Sequence, residues 1–185
     1  DPRCPGLRCE GTNAAQLLAL KEDAIRNMSE ALTQSMKLEE ASAALPRGRG
    51  KQGGIDEARM GIRNCAVYVW NMHREVFRHG WFSGALDSLL ALLGQTEAAL
   101  RGVVTVANGQ GTLREKSRGP SMDDKVVIEM YCSLCVALGR LHETRGELAD
   151  TIAVCERGVG FANAAAATDL LTLLARARLA KGDRG

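Results

Sequence analysis

The chain has 185 residues, which is enough for one domain or for an excerpt of a longer protein. Its formal net charge is only +2, and this balance argues against a dedicated nucleic-acid binder. Hydrophobic residues at 45% argue against a disordered chain, and aromatic residues at 4% argue against a β-sandwich. Ala and Leu are frequent instead, so we expect an all-α fold with a core of small side chains.

The first half of the chain contains three predicted helices. We expect an irregular segment over 1–12 and helical repeats over 13–107. Within that region, apolar spacing predicts helices over 14–45, 55–78 and 84–100, the last of them extending as far as 106. The Gly-rich, basic segment 46–54 between the first two is predicted to be a flexible insertion, either solvated or a basic contact.

The second half of the chain is predicted to hold a further set of helices. A Gly-rich loop over 108–120 precedes helical repeats over 121–185, which we expect to continue beyond the excerpt. A helix beginning at Ser121 ends at the turn Thr144–Gly146, and an antiparallel partner follows from Leu148. The last helix is predicted to begin at Thr168 and Asp169. Short connections of this kind indicate stacked helical hairpins.

Small residues recur at the spacing of a tetratricopeptide repeat of about 34 residues. Residues 132–163 fit one such unit, and residues 21–36 fit the second helix of another. Only small side chains fit where the two helices of a unit cross closely. The residues predicted to pack at these crossings are Ala24, Met28, Ala31, Leu138, Gly139, Gly146, Thr151, Cys155 and Gly158. The predicted fold is a tetratricopeptide-like α-solenoid.

The sequence offers little that is typical of an enzyme. Cys132 and Cys135 form a CxxC inside a helical pattern, which favours packing over a metal or redox site. His73, His79 and His142 show no ligand set or triad in their spacing, so we expect structural or surface roles. Nucleotide-binding and metalloprotease motifs are absent from the sequence. We therefore expect no catalytic residues, no cofactor and no metal.

Basic and aromatic residues lie together near the end of the second predicted helix. These candidate partner contacts are Arg74, Arg78, His79 and Trp81. Arg and Trp are frequent in protein interfaces, and basic residues beside aromatics also stack on nucleic-acid bases. Positive charge at a helix C-terminus is a third explanation.

The stretch from Arg63 to Arg74, with the residues just after it, resembles a segment of a ciliary protein family. The matching residues are Asn64, Val67, Trp70, Met72 and Arg74, followed by Arg78, His79 and Gly80. The resemblance extends over about residues 20–100, apart from the insertion at 46–54. It is to the cilia- and flagella-associated tetratricopeptide proteins of the axonemal central apparatus.

The resemblance implies a structural scaffold without catalytic residues. Such a protein would hold other central-apparatus proteins, with tubulin a further candidate, in a projection on a central-pair microtubule. We therefore expect a cytoplasmic location in the axoneme of the cilium or flagellum, a large multiprotein assembly, and neither nucleic acid nor a membrane as a partner.

Two alternatives to the scaffold remain. A soluble tetratricopeptide adaptor would bind peptide segments of partner proteins through a carboxylate clamp, for which the candidates are Arg63, Asn64, Lys125 and Arg140. A helical-repeat RNA binder would show steeply salt-dependent affinity.

Overall fold

The structure is a computed structural model, and it describes residues 12–46, 48–79, 87–107 and 122–182. These residues form helices and their connections, with no strand among them, which confirms the predicted all-α class. The helices are α1 (Thr12–Ala44), α2 (Arg49–His79), α3 (Asp87–Thr105), α4 (Met122–Thr144), α5 (Leu148–Val159) and α6 (Ala164–Lys181). The predicted irregular segment before residue 12 and the Gly-rich loop at 108–120 lie outside the described residues.

The prediction of a flexible insertion over 46–54 is wrong from residue 49 onward, because α2 begins at Arg49. Two features explain why a Gly-rich segment is helical here. Lys51 Nζ donates to the carbonyl oxygens of Ala43 and Leu45 at the end of α1, where the helix leaves carbonyls unpaired. Gly54 faces Ser42 of α1, and a Cβ at Gly54 would collide with the Ser42 hydroxyl. The glycine therefore permits close helix packing rather than flexibility.

The start of α6 also differs from the prediction. The helix begins at Ala164, four residues before Thr168. Asn163 is its N-cap, with an extended backbone and a side-chain oxygen that accepts the Ala166 amide at 3.0 Å. Alanine, which fills the next four positions, has the highest intrinsic helix propensity of any residue type. The helix can therefore begin there without apolar periodicity.

Helices α2, α4 and α6 pack side by side as one layer. Each helix packs against the next along the chain, and contacts also join α1 to α3, α2 to α4 and α4 to α6. Arg63 of α2 pairs with Asp124 near the start of α4 at 3.2 Å, and Trp70 and Phe77 border residues 133–140 further along it. Helices α2 and α4 therefore run parallel in one layer, which α6 continues.

One apolar core runs through the described helices. Tyr131 of α4 is fully buried and meets Phe161 edge-to-face, with ring centroids 5.3 Å apart. The largest fully buried apolar side chains are Tyr131, Leu32, Ile62, Leu89, Leu92, Leu93, Leu100, Leu138, Leu141, Leu170 and Val69. They come from α1, α2, α3, α4 and α6, so these helices share a single core.

Two glycines mark the closest approaches around α5. A Cβ at Gly158 would stand 2.9 Å from Cys135 Cβ and 2.9 Å from Leu170 Cδ1. A Cβ at Gly139 would stand 2.7 Å from Leu173 Cδ2 and 3.2 Å from Cys155 Sγ. Helices α4, α5 and α6 therefore approach closely at these two glycines, and at Gly158 the obstacle to a larger residue is a Cβ fixed to the α4 backbone.

The other residues predicted to pack at crossings divide into three groups. Leu138, Thr151 and Cys155 are buried, and Thr151 Oγ1 donates to the Glu147 carbonyl at 3.0 Å. Gly146 has φ of +76° and ends α4, a conformation that favours glycine. In α1, Ala24 and Met28 are half-buried.

Ala31 does not pack at a crossing, because its side chain is exposed on α1. Its neighbour Leu32 is fully buried instead. Adjacent helical residues point about 100° apart, so a small error in the assumed face moves Ala31 from the core to solvent.

A buried charge joins three helices. Glu97 of α3 is 3% exposed and accepts the Tyr131 hydroxyl of α4 at 2.7 Å. Its carboxylate also accepts from Arg157 of α5, with the Nε–Oε1 distance 3.0 Å. Both partners are needed, because an isolated carboxylate in an apolar interior is very unfavourable. Glu97 therefore ties α3 to both helices of the α4–α5 hairpin.

Candidate partner-binding groove

A cleft of about 180 Å³ opens between α2, α4 and α6. These are the three helices of one layer, and each contributes to the lining. The lining residues are Trp70, Phe77, Ser133, Val136, Ala137, Arg140, Ala166 and Asp169. We call this feature the α2–α4–α6 groove.

The aromatic part of the groove comes from α2. Trp70 is half-buried and Phe77 is buried, and their ring centroids lie 4.9 Å apart with the planes tilted by 34°. The two residues are seven apart, so they lie on one side of the helix two turns from each other. The packed pair presents a rigid apolar surface in which the Trp70 ring is partly accessible.

Opposite charges lie at the groove. Arg140 near the end of α4 and Asp169 of α6 are both exposed and both line the cleft. A groove that combines an aromatic surface with a cation and an anion is suited to an extended peptide, whose side chains and backbone supply complementary groups.

The predicted partner contacts lie at the end of α2. Arg74 is exposed on the helix, and Arg78 and His79 belong to its last turn. The side chains of Arg78 and His79, and the whole of Trp81, lie outside the described residues. The structure thus places one of these four side chains, and Arg74 is not among the groove residues.

The candidate clamp residues are not gathered in the groove. Arg63 is half-buried and pairs with Asp124 at 3.2 Å, while Asn64 and Lys125 are exposed without lining the cleft. Arg140 is the member of the set that lines it. The sequence signals that bear on the groove are weak. Trp70 lies among the apolar residues of the second predicted helix, and Arg140 follows the small residue Gly139.

Helix α2 also exposes apolar side chains away from the core. Tyr68 is 68% exposed and Met72 is 42% exposed. His73 and Phe77 are buried instead. The exposed apolar residues of α2 are Met60, Val67, Tyr68 and Met72. This surface adds apolar area to the layer that contains the groove.

The cysteines of α4 and α5 pack in the core. Cys132, Cys135 and Cys155 are free thiols at 1% exposure or less. Burial raises the pKa of Cys132 and of Cys155 to about 11 each, with smaller contributions from nearby carboxylates. A thiol in such surroundings is a poor nucleophile and metal ligand near neutral pH.

Two of the histidines have polar partners in the structure. His73 is 1% exposed, and its Nδ1 donates to the Val69 carbonyl at 3.0 Å. His142 has a carboxylate partner, because its Nδ1 lies 2.6 Å from Glu147 Oε2. Asp150 stands close to the same pair, so these three residues are the group in the described part of the chain that could hold a metal ion.

No family model, no curated protein and no solved structure matches the chain. Within the described residues, none of the helices combines the length and the apolar character that crossing a membrane requires.

Proposed function

We propose that the chain is a segment of a helical-repeat scaffold that holds partner proteins through the α2–α4–α6 groove. The observation that carries the proposal is the groove itself, an aromatic surface flanked by Arg140 and Asp169 between three helices of one layer. Helices of one layer in a stacked array form an extended concave surface suited to a peptide segment.

The packing of the helices supports a tetratricopeptide-like arrangement. The unit predicted over 132–163 corresponds to α4 and α5, which cross at Gly139 and Gly158. Residues 21–36, predicted as the second helix of another unit, lie in α1, which packs against α2 and α3. Under this proposal α2, α4 and α6 are the inner helices of successive units.

The proposed cellular setting is the axonemal central apparatus, and it rests on the resemblance of residues 63–82. The full-length tagged protein would be expressed in ciliated cells, and the axonemes would be stripped of membrane and extracted with high salt. We expect the protein to stay on the axoneme, with central-pair material lost when it is deleted. A protein found wholly in the soluble fraction would contradict the scaffold.

A charge reversal tests the groove separately from the setting. Arg140→Glu should reduce retention on the axoneme, because it replaces the groove's cation with an anion. Arg101→Glu is the matched control, since Arg101 is exposed on α3, outside the groove-lining set. Equal retention of the two variants would remove the groove from the proposal.

The second candidate is a soluble adaptor that binds peptide segments, and the position of Arg140 in the groove favours it. A fluorescent peptide with an acidic C-terminus would be titrated with the protein. Micromolar binding that Arg140→Glu abolishes and Arg101→Glu preserves would support the adaptor, and absence of binding would reject it.

A further inference from the structure

The turn between α4 and α5 fixes the position of two polar side chains. The Glu147 amide donates to the His142 carbonyl at 2.9 Å, and the Gly146 amide donates to the Glu143 carbonyl at 3.0 Å. With Gly146 at φ +76°, these bonds form a Schellman motif. The motif normally brings together two apolar side chains at the positions of His142 and Glu147. Here it brings together an imidazole and a carboxylate.

Asp150 completes a group of three. It lies in the first turn of α5, three residues after Glu147, and residues at this spacing are neighbours on a helix surface. The nitrogen of His142 and a carboxylate oxygen from each of Glu147 and Asp150 all lie within 4.8 Å of one another. Asp150 is exposed, so its carboxylate can turn toward the pair.

Local helix chemistry explains part of this group. Carboxylates are favoured at a helix N-terminus, and a carboxylate beside an imidazole is a stable pair in itself. However, Glu147 occupies the N-cap position of α5 without capping it, and its backbone is not in the extended conformation. Its side chain faces the imidazole instead. The arginines nearby pair with other carboxylates, Arg145 with Asp87 and Arg176 with Glu143.

We propose that His142, Glu147 and Asp150 bind a divalent transition-metal ion of the zinc type. One imidazole nitrogen and two carboxylate oxygens suit such an ion, whereas Mg²⁺ and Ca²⁺ prefer oxygen ligands alone. Metal–ligand bonds near 2.0–2.2 Å place tetrahedral ligand atoms roughly 3.3 Å apart. On binding, the His142–Glu147 pair, 2.6 Å apart without the ion, therefore opens slightly, and the Asp150 carboxylate turns in to complete the set. His142 is 15% exposed and Glu147 is 37% exposed, which leaves a coordination position open to water.

The bound ion would join the end of α4 to the start of α5. It would therefore stabilise the α4–α5 hairpin at its turn, at the opposite end from the crossing at Gly158. This inference does not depend on the proposed scaffold function.

The site can be tested by titrating cobalt(II) into the whole chain, because the visible spectrum of bound cobalt reports the type of its ligands. We expect saturable binding with a spectrum of nitrogen and oxygen ligands and without thiolate charge-transfer bands. His142→Ala should weaken binding by roughly tenfold or more, since loss of even an outer-shell partner commonly costs that much. Isothermal titration with Zn²⁺ would give the matching affinities.

Two further variants make the test decisive. Asp150→Asn removes an exposed ligand without touching the core, so it should weaken metal binding while the chain stays folded. It therefore tests the site even if His142→Ala unfolds the chain. Glu156→Gln is the control, because it removes an exposed carboxylate of the same helix that pairs with Arg178 outside the group. No cobalt binding by the parent chain, thiolate bands, or equal affinity in all variants would each overturn the site.

Discussion

Gly158 shows how much packing in this protein depends on the absence of a single side chain. Its missing Cβ would stand 2.9 Å from both Cys135 Cβ and Leu170 Cδ1. Cys135 Cβ is fixed to the α4 backbone, so it cannot move aside as the end of a long side chain could. The crossing of α4 and α5 is therefore specified by glycine at this position.

We predict opposite effects for two glycine substitutions. Gly158→Ala should lower the free energy of unfolding by about 1–3 kcal/mol through overpacking. Gly102→Ala in α3 should raise it by about 0.5–1 kcal/mol, because a Cβ there meets no atom within 4 Å and alanine reduces the entropy of the unfolded chain. Urea denaturation measures both. Equal stability of the two variants would contradict the described crossing.

His73 makes stability depend on pH. Burial lowers the pKa of this imidazole below its usual 6.5, with Lys21 acting in the same direction against the bond to the Val69 carbonyl. The unfolded chain therefore binds more protons than the folded chain once the pH falls below about 6.5. This part of the stability is present above that pH and is lost as the pH falls toward the lowered value.

The prediction is that the free energy of unfolding falls between pH 7.5 and 5.5 more steeply in the parent chain than in His73→Gln. The amide of glutamine does not titrate, and the carboxylates contribute equally to both proteins. Urea denaturation at several pH values measures the two slopes. Parallel curves would show that His73 is not the group responsible.

Helix α6 begins at a side-chain cap that the apolar pattern does not reveal. The side chain of Asn163 accepts the Ala166 amide at 3.0 Å, and the helix begins one residue later. Apolar periodicity alone predicts that α6 starts at Thr168, because the four alanines before it show no amphipathic pattern. The cap at Asn163 therefore lets α6 start about one turn earlier than the apolar pattern predicts.

Asn163→Ala should lower the free energy of unfolding by about 1 kcal/mol, since an amide of the first turn loses its acceptor. Asn163→Ser is the matched control, because its hydroxyl can accept the same bond. Circular dichroism during urea denaturation measures both. If Ala and Ser were equally destabilising, the loss would not come from capping.

At the scale of the whole molecule, the packing of several helices buries the cysteines of α4 and α5. Cys132 and Cys155 come from α4 and α5 and are 1% and 0% exposed. Their pKa values are raised to about 11, mainly by burial, so few thiolates exist at pH 8. Access to either thiol requires separation of the α4–α5 hairpin.

We expect iodoacetamide at pH 8 to modify Cys132 and Cys155 only as fast as the chain unfolds. Half-exposed Cys65 of α2 should react earlier and is the internal reference. Peptide mass spectrometry at increasing urea concentration gives each rate. Modification of all three residues at one rate without denaturant would contradict the buried core.

The buried Glu97 illustrates what the amino-acid pattern does not reveal. Its neighbours in sequence predict a helix correctly, yet nothing in the pattern indicates that a carboxylate belongs in the core. Its partners, Tyr131 and Arg157, are 34 and 60 residues away along the chain. A buried charge becomes acceptable only when such distant partners meet it.

Local chemistry was sufficient for the class of fold and for most helix boundaries. Periodic apolar residues and turn glycines such as Gly146 act within a few residues, so they can be read from the chain directly. The same locality explains two wrong predictions, the flexibility of the segment around Gly54 and the packing of Ala31 at a helix crossing. Whether a small residue meets another helix depends on where that helix lies.

The α2–α4–α6 groove, and the side-by-side packing of its three helices, follow only from the tertiary structure. Trp70, Arg140 and Asp169 come from three helices, and nothing between them in sequence predicts that they share one cleft. The polar group at the α4–α5 turn lies between these two cases. Its residues are close in sequence, but a specific backbone turn is needed to bring them together. Side-by-side packing of separate helices is a long-range outcome, and it brings together groups that local patterns leave apart.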